Sequence, residues 1–166
     1  FSEYQALGGP ATLGFPISRR YYDGVFTLQA FQRGVMQWNP ASRTVQMLNI
    51  FDDLAEKGFD GWLFAKRQIP NAADWSSDQG LDFGAALSQH LDLLSRNTLI
   101  KQRFLSNPLW IRDFGLPMGY ADFGSVRVLR AQRAVLIEQD GIVIIPNVGE
   151  IAESAGYIPV GALNPT

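Results

Sequence analysis

Residues 31–38 read FQRGVMQW, and roughly one hundred positions on, residues 131–138 read AQRAVLIE. Gln-Arg, a small residue, Val and a long apolar residue are written twice in the same order. The surroundings repeat as well. Gly14-Phe15-Pro16 answers to Gly115-Leu116-Pro117, Gly24 to Gly124, and Asn49-Ile50 to Asn147-Val148. Turn formers follow each Gln-Arg segment: Asn39-Pro40-Ala41-Ser42 in the first region, Gln139-Asp140-Gly141 in the second. Each region ends in an acidic, helix-like run, 52–57 and 150–155. Conserved order with slightly drifting spacing indicates an internal duplication.

The duplicated unit makes physical sense. Gly-x-Pro ends a helix, because glycine takes a left-handed exit and proline cannot continue the amide ladder. The segments 25–31, 34–38, 126–129 and 135–138 are rich in β-branched and aromatic residues and read as strands. Asp140-Gly141 between apolar runs is a hairpin turn, and Asn39-Pro40 initiates a turn at the equivalent place. Each unit is therefore expected to be a lead-in helix, a three-stranded meander and a trailing helix. Between the units, Ala85–Ser95 carries Leu87, Leu91 and Leu94 on one helical stripe. Further helices are expected over 96–105 and 108–114, with Asn107-Pro108 as the break. The fold class is α+β: two small antiparallel β-meander units in pseudo-twofold relation, joined by a central helical segment. The expected divisions are 1–57, 58–101 and 102–166, packed as one body. The tail 161–166 reads as a loop.

Composition narrows the function. With 46% hydrophobic and 18% charged residues, 166 residues suffice for a buried core. A net charge of −2 without a basic stripe argues against nucleic acid, which needs a clustered positive field. No cysteine is present, which removes disulfides and thiol chemistry. No apolar run nears the ~20 residues of a membrane span. The chain begins with Phe1 rather than Met, as expected of a processed, exported product or of a segment of a longer protein.

Gly8-Gly9, Leu13-Gly14-Phe15-Pro16, Ser18, Gly24, Gln29, Phe31, Gly34, Trp38, Pro40 and Val45 occur in the order of the LGFP repeat. Residues of about 8–58 resemble this module of secreted bacterial cell-envelope proteins, and about 109–156 resemble a degenerate second copy. The resemblance implies an exported, envelope-associated, non-catalytic chain of extracellular location. Its partner would be cell-wall polysaccharide, with no cofactor. Gly14, Phe15, Pro16, Gly115, Pro117, Gln132 and Arg133 are the structural motif positions.

Candidate chemistry is sparse. His90 is the single histidine, which excludes a multi-histidine metal site, and its place between Leu87 and Leu94 argues for a buried, hydrogen-bonded ring. Asp52, Asp53 and Glu56, and again Glu150 and Glu153, could pair for glycoside hydrolysis, but acids at a helix start are also what its dipole stabilises. Asp78 and Asp82 read as helix caps. Trp38, Tyr21 and Tyr22 are the candidate sugar-stacking rings, with Arg33 and Gln29 to hydrogen-bond hydroxyls; Phe15 and Phe31 are expected in the core. Because Gln-Arg recurs at equivalent places, a structural task is expected for it, satisfying carbonyls between strand and helix. Three functions compete: a non-enzymatic module that binds wall glycan, a subunit that assembles with copies of itself into a filament or surface layer, and a carboxylate-dependent wall hydrolase.

Overall fold

The computed structural model describes residues 2–163; most of the expected tail loop, 164–166, lies outside them. The expected α+β architecture is present, with a four-stranded antiparallel sheet in each unit. Helices α1 (Ser2–Ala6) and α2 (Gly9–Leu13) lead into β1 (Tyr21–Asp23), β2 (Phe26–Phe31), β3 (Gly34–Asn39) and β4 (Thr44–Met47). Helices α3 (Ile50–Glu56), α4 (Asp60–Arg67), α5 (Phe83–Leu91), α6 (Thr98–Leu105) and α7 (Trp110–Asp113) follow. Then come β5 (Pro117–Asp122), β6 (Val126–Ala131), β7 (Val135–Gln139), β8 (Ile142–Ile144) and the trailing α8 (Val148–Ser154). The expected three-stranded meander is thus corrected to four strands. β1 and β5 precede Gly24 and Gly124, whose positive φ values of 58° and 84° fold each strand back onto the next.

The central segment is less helical than expected. Pro70 breaks it, and residues 68–75 form neither helix nor strand, with Ala73 donating its N–H to the Met118 carbonyl of β5 at 2.8 Å. The caps are local: Asp82 accepts from Ala85 N and Asn97 from Ile100 N. Asp78 has another partner. His90, buried on α5, sets Nδ1 against the Pro117 carbonyl and Nε2 against Asp78 Oδ2 at 2.8 Å, with Trp75 stacked on its ring at 3.6 Å.

The repeated Gln-Arg closes the same joint in both units. Gly14 and Gly115 leave their helices at φ 73° and 72°. A Cβ on either would lie 2.6 or 2.8 Å from a side-chain atom of Gln32 or Gln132, so glycine is needed both for conformation and for space. Each glutamine brackets the residue after that glycine. Gln32 Oε1 accepts from Phe15 N while Gln32 N donates to Phe15 O, both at 3.0 Å. Gln132 does the same to Leu116, again at 3.0 Å. The arginines then hold the lead-in helices. Arg33 Nη1 donates to Ala11 O at 2.7 Å, and Arg133 Nη1 to Ile111 O and Arg112 O at 2.9 and 2.8 Å. Helix ends leave such carbonyls unpaired, and a charged donor satisfies them.

The units also interlock. Gln32 O accepts from Gly149 N at the start of α8, and Gln132 O accepts from Phe51 N at the start of α3. Each trailing helix therefore docks on the turn of the other unit, the reciprocity expected of a pseudo-twofold pair. One core joins Leu28, Ala30 and Val35 of the first sheet to Val128 and Val135 of the second, through Phe51, Leu54 and Ile151. Leu63 and Ile69 belong to it too, so all three expected divisions share it. A smaller core packs α1 and α2 on the outer face of sheet one, around Leu13, Phe31 and Met47. A third packs the central helices on the outer face of sheet two, around Leu129, Leu136, Ile100 and Phe104.

Arg130 stands where the first unit has Ala30, fully buried in the shared interior. Its Nη1 pairs with Asp60 Oδ1 at 2.7 Å and reaches Pro70 O, and its Nη2 donates to Phe51 O at 2.6 Å. A buried guanidinium is tolerated only with such partners, and here they tie β6 to α3 and α4 of the other half.

The docking of α8 is tight enough to test. A Cβ on Gly149 would lie 1.9 Å from the Phe31 carbonyl oxygen, a backbone atom that cannot swing away. In urea denaturation, Gly149→Ala is expected to destabilise by about 3 kcal/mol or more. Gly24→Ala, whose Cβ would meet open space, is expected to cost about 1–2 kcal/mol for its positive φ alone.

Candidate functional site

The two sheets can be superposed row by row through their registers. Across sheet one, Tyr22 faces Thr27, Thr27 faces Trp38, and Trp38 faces Val45. The corresponding row of sheet two is Asp122, Arg127, Glu138 and Val143. Both rows point outward, away from the shared core, because strand side chains alternate and Phe31 and Leu129 of the same faces belong to the outer cores.

The two rows differ in chemistry. In sheet two, Arg127 lies 3.3 Å from Asp122 and 3.4 Å from Glu138, and Glu138, buried, also accepts from Asn97 beneath the central helices and from Gly141 N. That row is spanned by ion pairs, with Glu138 buried and Asp122 at the exposed edge. In sheet one, α1 and α2 cover the end near Phe31 and leave the other end open. Tyr22 is 83% and Trp38 40% accessible there. Gln29 lies on the same face one pair along, facing Met36, and donates Nε2 to the Ser18 carbonyl at 3.2 Å. The result is a shelf of two rings with an amide at its inner end.

The structure separates the other sequence candidates. Tyr21 faces Leu28, so it points to the opposite side of the sheet from Tyr22 and is buried in the shared core. It is withdrawn as a stacking ring, by the strict alternation of a strand. Burial, with the nearby Asp23 and Asp53 carboxylates, pushes its hydroxyl far above the usual tyrosine range, and that hydroxyl has no partner. Phe15 departs from the core expectation: it is 66% accessible, because its main chain is bracketed by Gln32 and Leu13 takes the buried place beside it. Phe31 is buried and stacks on Tyr4. Arg33 lies apart from the outward row, at the turn where it holds α2.

Asp52 and Asp53 are engaged in bonds that hold the fold, two of them reaching the other unit. Asp53 accepts from Lys57 Nζ and from the Tyr157 hydroxyl at 2.6 Å, and Asp52 accepts from Gln132 Nε2 at 3.1 Å. Burial raises the Asp52 carboxyl above its usual value, with Gln132 and Arg130 opposing. Among the described residues, no group of three or more His, Cys, Asp or Glu side chains could hold a metal ion. No helix among them is long and apolar enough to cross a membrane.

Sequence reasoning did not single out Thr27 or Arg103, and placed Val45 only in the repeat motif. The register places Thr27 and Val45 beside Trp38, and the fold sets Arg103 in the lining of one cleft with Arg33 and Arg133. Comparison with protein-family models and with curated proteins returns no match for this chain.

The division of labour between adjacent tyrosines is directly measurable. Tyr21→Phe removes an unpaired buried hydroxyl and is expected to leave stability unchanged or raise it by up to about 1 kcal/mol. Tyr21→Ala empties core volume and is expected to cost about 3 kcal/mol or more, whereas Tyr22→Ala stays within about 0.5 kcal/mol. Thermal unfolding of the three variants reads all of this.

Proposed function

We propose that the chain is a non-enzymatic cell-surface module that associates with cell-wall glycan, and that the shelf of Tyr22 and Trp38 is its contact surface. One observation carries the reading, a contrast of chemistry between equivalent rows. The unit whose motif is better kept exposes the rings of Tyr22 and Trp38 at the row where its degenerate twin carries Asp122, Arg127 and Glu138 joined in ion pairs. Exposed aromatic rings flanked by amides suit the apolar faces of sugar rings, with hydroxyls bonded at their edges. Gln29 supplies a carbonyl oxygen as acceptor while its amide nitrogen holds Ser18. The resemblance to the LGFP repeat supports the same location, outside the cell and at the envelope, and the same class, without catalysis.

A second reading has its own observation. The edge strand β8 exposes Ile142 and Ile144 where β4 carries Thr44 and Gln46. An open, apolar strand edge invites pairing, and a contact between unlike edges of successive copies would grow into a filament.

Co-sedimentation with purified cell walls tests the first reading. Trp38→Ala combined with Tyr22→Ala is expected to reduce retention about tenfold or more while leaving the unfolding temperature in place. Retention equal to wild type would overturn the shelf. Light scattering of the free protein in the same buffer reports on the second reading, which a monomer at all concentrations would remove.

A further inference from the structure

The two Gln-Arg turns open onto one cleft of about 440 Å³, lined by Arg33, Arg103 and Arg133 together with Thr12, Asn107 and Asp113. Three cations face one acid, in a chain whose net charge is −2. The acid is already engaged: Asp113 Oδ1 pairs with Arg112 Nε at 2.6 Å, and Oδ2 accepts from Asn107 Nδ2 at 2.9 Å. Among the described residues, no carboxylate lies within ion-pair distance of Arg33, Arg103 or Arg133. Positive charge exceeds negative in the cleft lining, where Asp113 is the one carboxylate.

Its donors are also held in place. Arg33 and Arg133 each anchor Nη1 on helix carbonyls, which fixes the guanidinium plane before any ligand arrives. Preorganised forks lose little freedom on binding. Arg133 Nε is buried with no hydrogen-bond partner, an unmet donor of the kind that folded proteins rarely keep without a use. Burial pulls this guanidinium below its ordinary value, with Asp52 and Asp113 opposing more distantly. Arg103 is tied more loosely, to Ser106 Oγ at 3.4 Å, and can close on a ligand. Met47, Phe114 and Ile145 form apolar walls, which strengthen charge pairing by excluding water.

We propose that this cleft is a binding site for an oxyanion group, a carboxylate or a phosphate. Both present paired oxygens that a guanidinium fork matches in a plane. The duplication has then done more than stabilise the fold: by pairing two structural arginines across the seam, it created a cationic recess that neither unit has alone. This site is distinct from the Trp38 shelf and does not depend on the glycan reading. A uronate sugar and a phosphate group are two sources of the same chemistry.

NMR titration with sodium glucuronate and with inorganic phosphate, with glucose as the neutral control, tests the site. Saturable shifts confined to residues of the cleft are expected, with dissociation constants of about 0.1–10 mM for such small anions and none for glucose. Arg103→Gln, at an exposed position, is expected to weaken binding about tenfold without moving the unfolding temperature. The stronger of the two anions identifies the source. Absence of saturable shifts with both anions would overturn the proposal. So would wild-type affinity in Arg103→Gln, which also keeps this outcome separate from any loss of wall retention through the shelf.

Discussion

The fold depends on two carbonyl oxygens. Gln32 O receives the Gly149 amide and Gln132 O the Phe51 amide, so each unit completes the turn of its twin. A single unit would expose that carbonyl, the inner face of its sheet and the apolar side of its own trailing helix. A lone four-stranded meander is marginal for this reason. Exchange of trailing helices removes all three costs at once. It also explains why the two Gln-Arg segments have stayed alike while the strand faces around them have diverged. The side-chain amide and guanidinium of each pair act within a unit, on the glycine joint and the lead-in helix. The carbonyl of the same glutamine acts between units.

Divergence then follows from what lies outside each sheet. The central helices pack on the outer face of sheet two around Leu129 and Leu136, and in the row beside them Arg127 pairs with Asp122 and with the buried Glu138. Nothing so extensive covers sheet one beyond α1 and α2, and its row keeps Tyr22 and Trp38 in solvent. The inner faces show the reverse asymmetry. Ala30 in one copy is small, and Arg130 in the other reaches across to Phe51 O and Asp60. Two copies of one sequence have thus become a support and a displayed surface, with a cationic recess at the seam between them.

Much of this was legible in the sequence. Gly-x-Pro, Gln-Arg and the turn residues carry local backbone chemistry, and local chemistry repeats when a unit is copied. Strand β1 was not, because three residues, Tyr21–Asp23, give too short a pattern to tell from a loop, and the six-residue β5 was not, because Pro117 and Gly119 within it are residues that strands disfavour. Phe15 was expected inside because aromatics usually are, but the left-handed exit at Gly14 turns it outward and admits Leu13 instead. Tyr21 and Tyr22 could not be sorted without the register, since one step along a strand reverses the face. Arg130 and Arg103 gave no signal at all. Asp60, the partner of Arg130, and Arg33 and Arg133, which line one cleft with Arg103, are distant from them in the chain, and only the tertiary fold brings them together.

Native-state hydrogen exchange at the Phe51 and Gly149 amides tests the reciprocal docking most directly. If the exchanged helices hold one cooperative core, both amides exchange only through global unfolding, with equal opening free energies that fall together as denaturant is added. Opening of one amide at markedly lower free energy, with the other still protected, would contradict the account, because it would mean that one half stands without the helix of its twin.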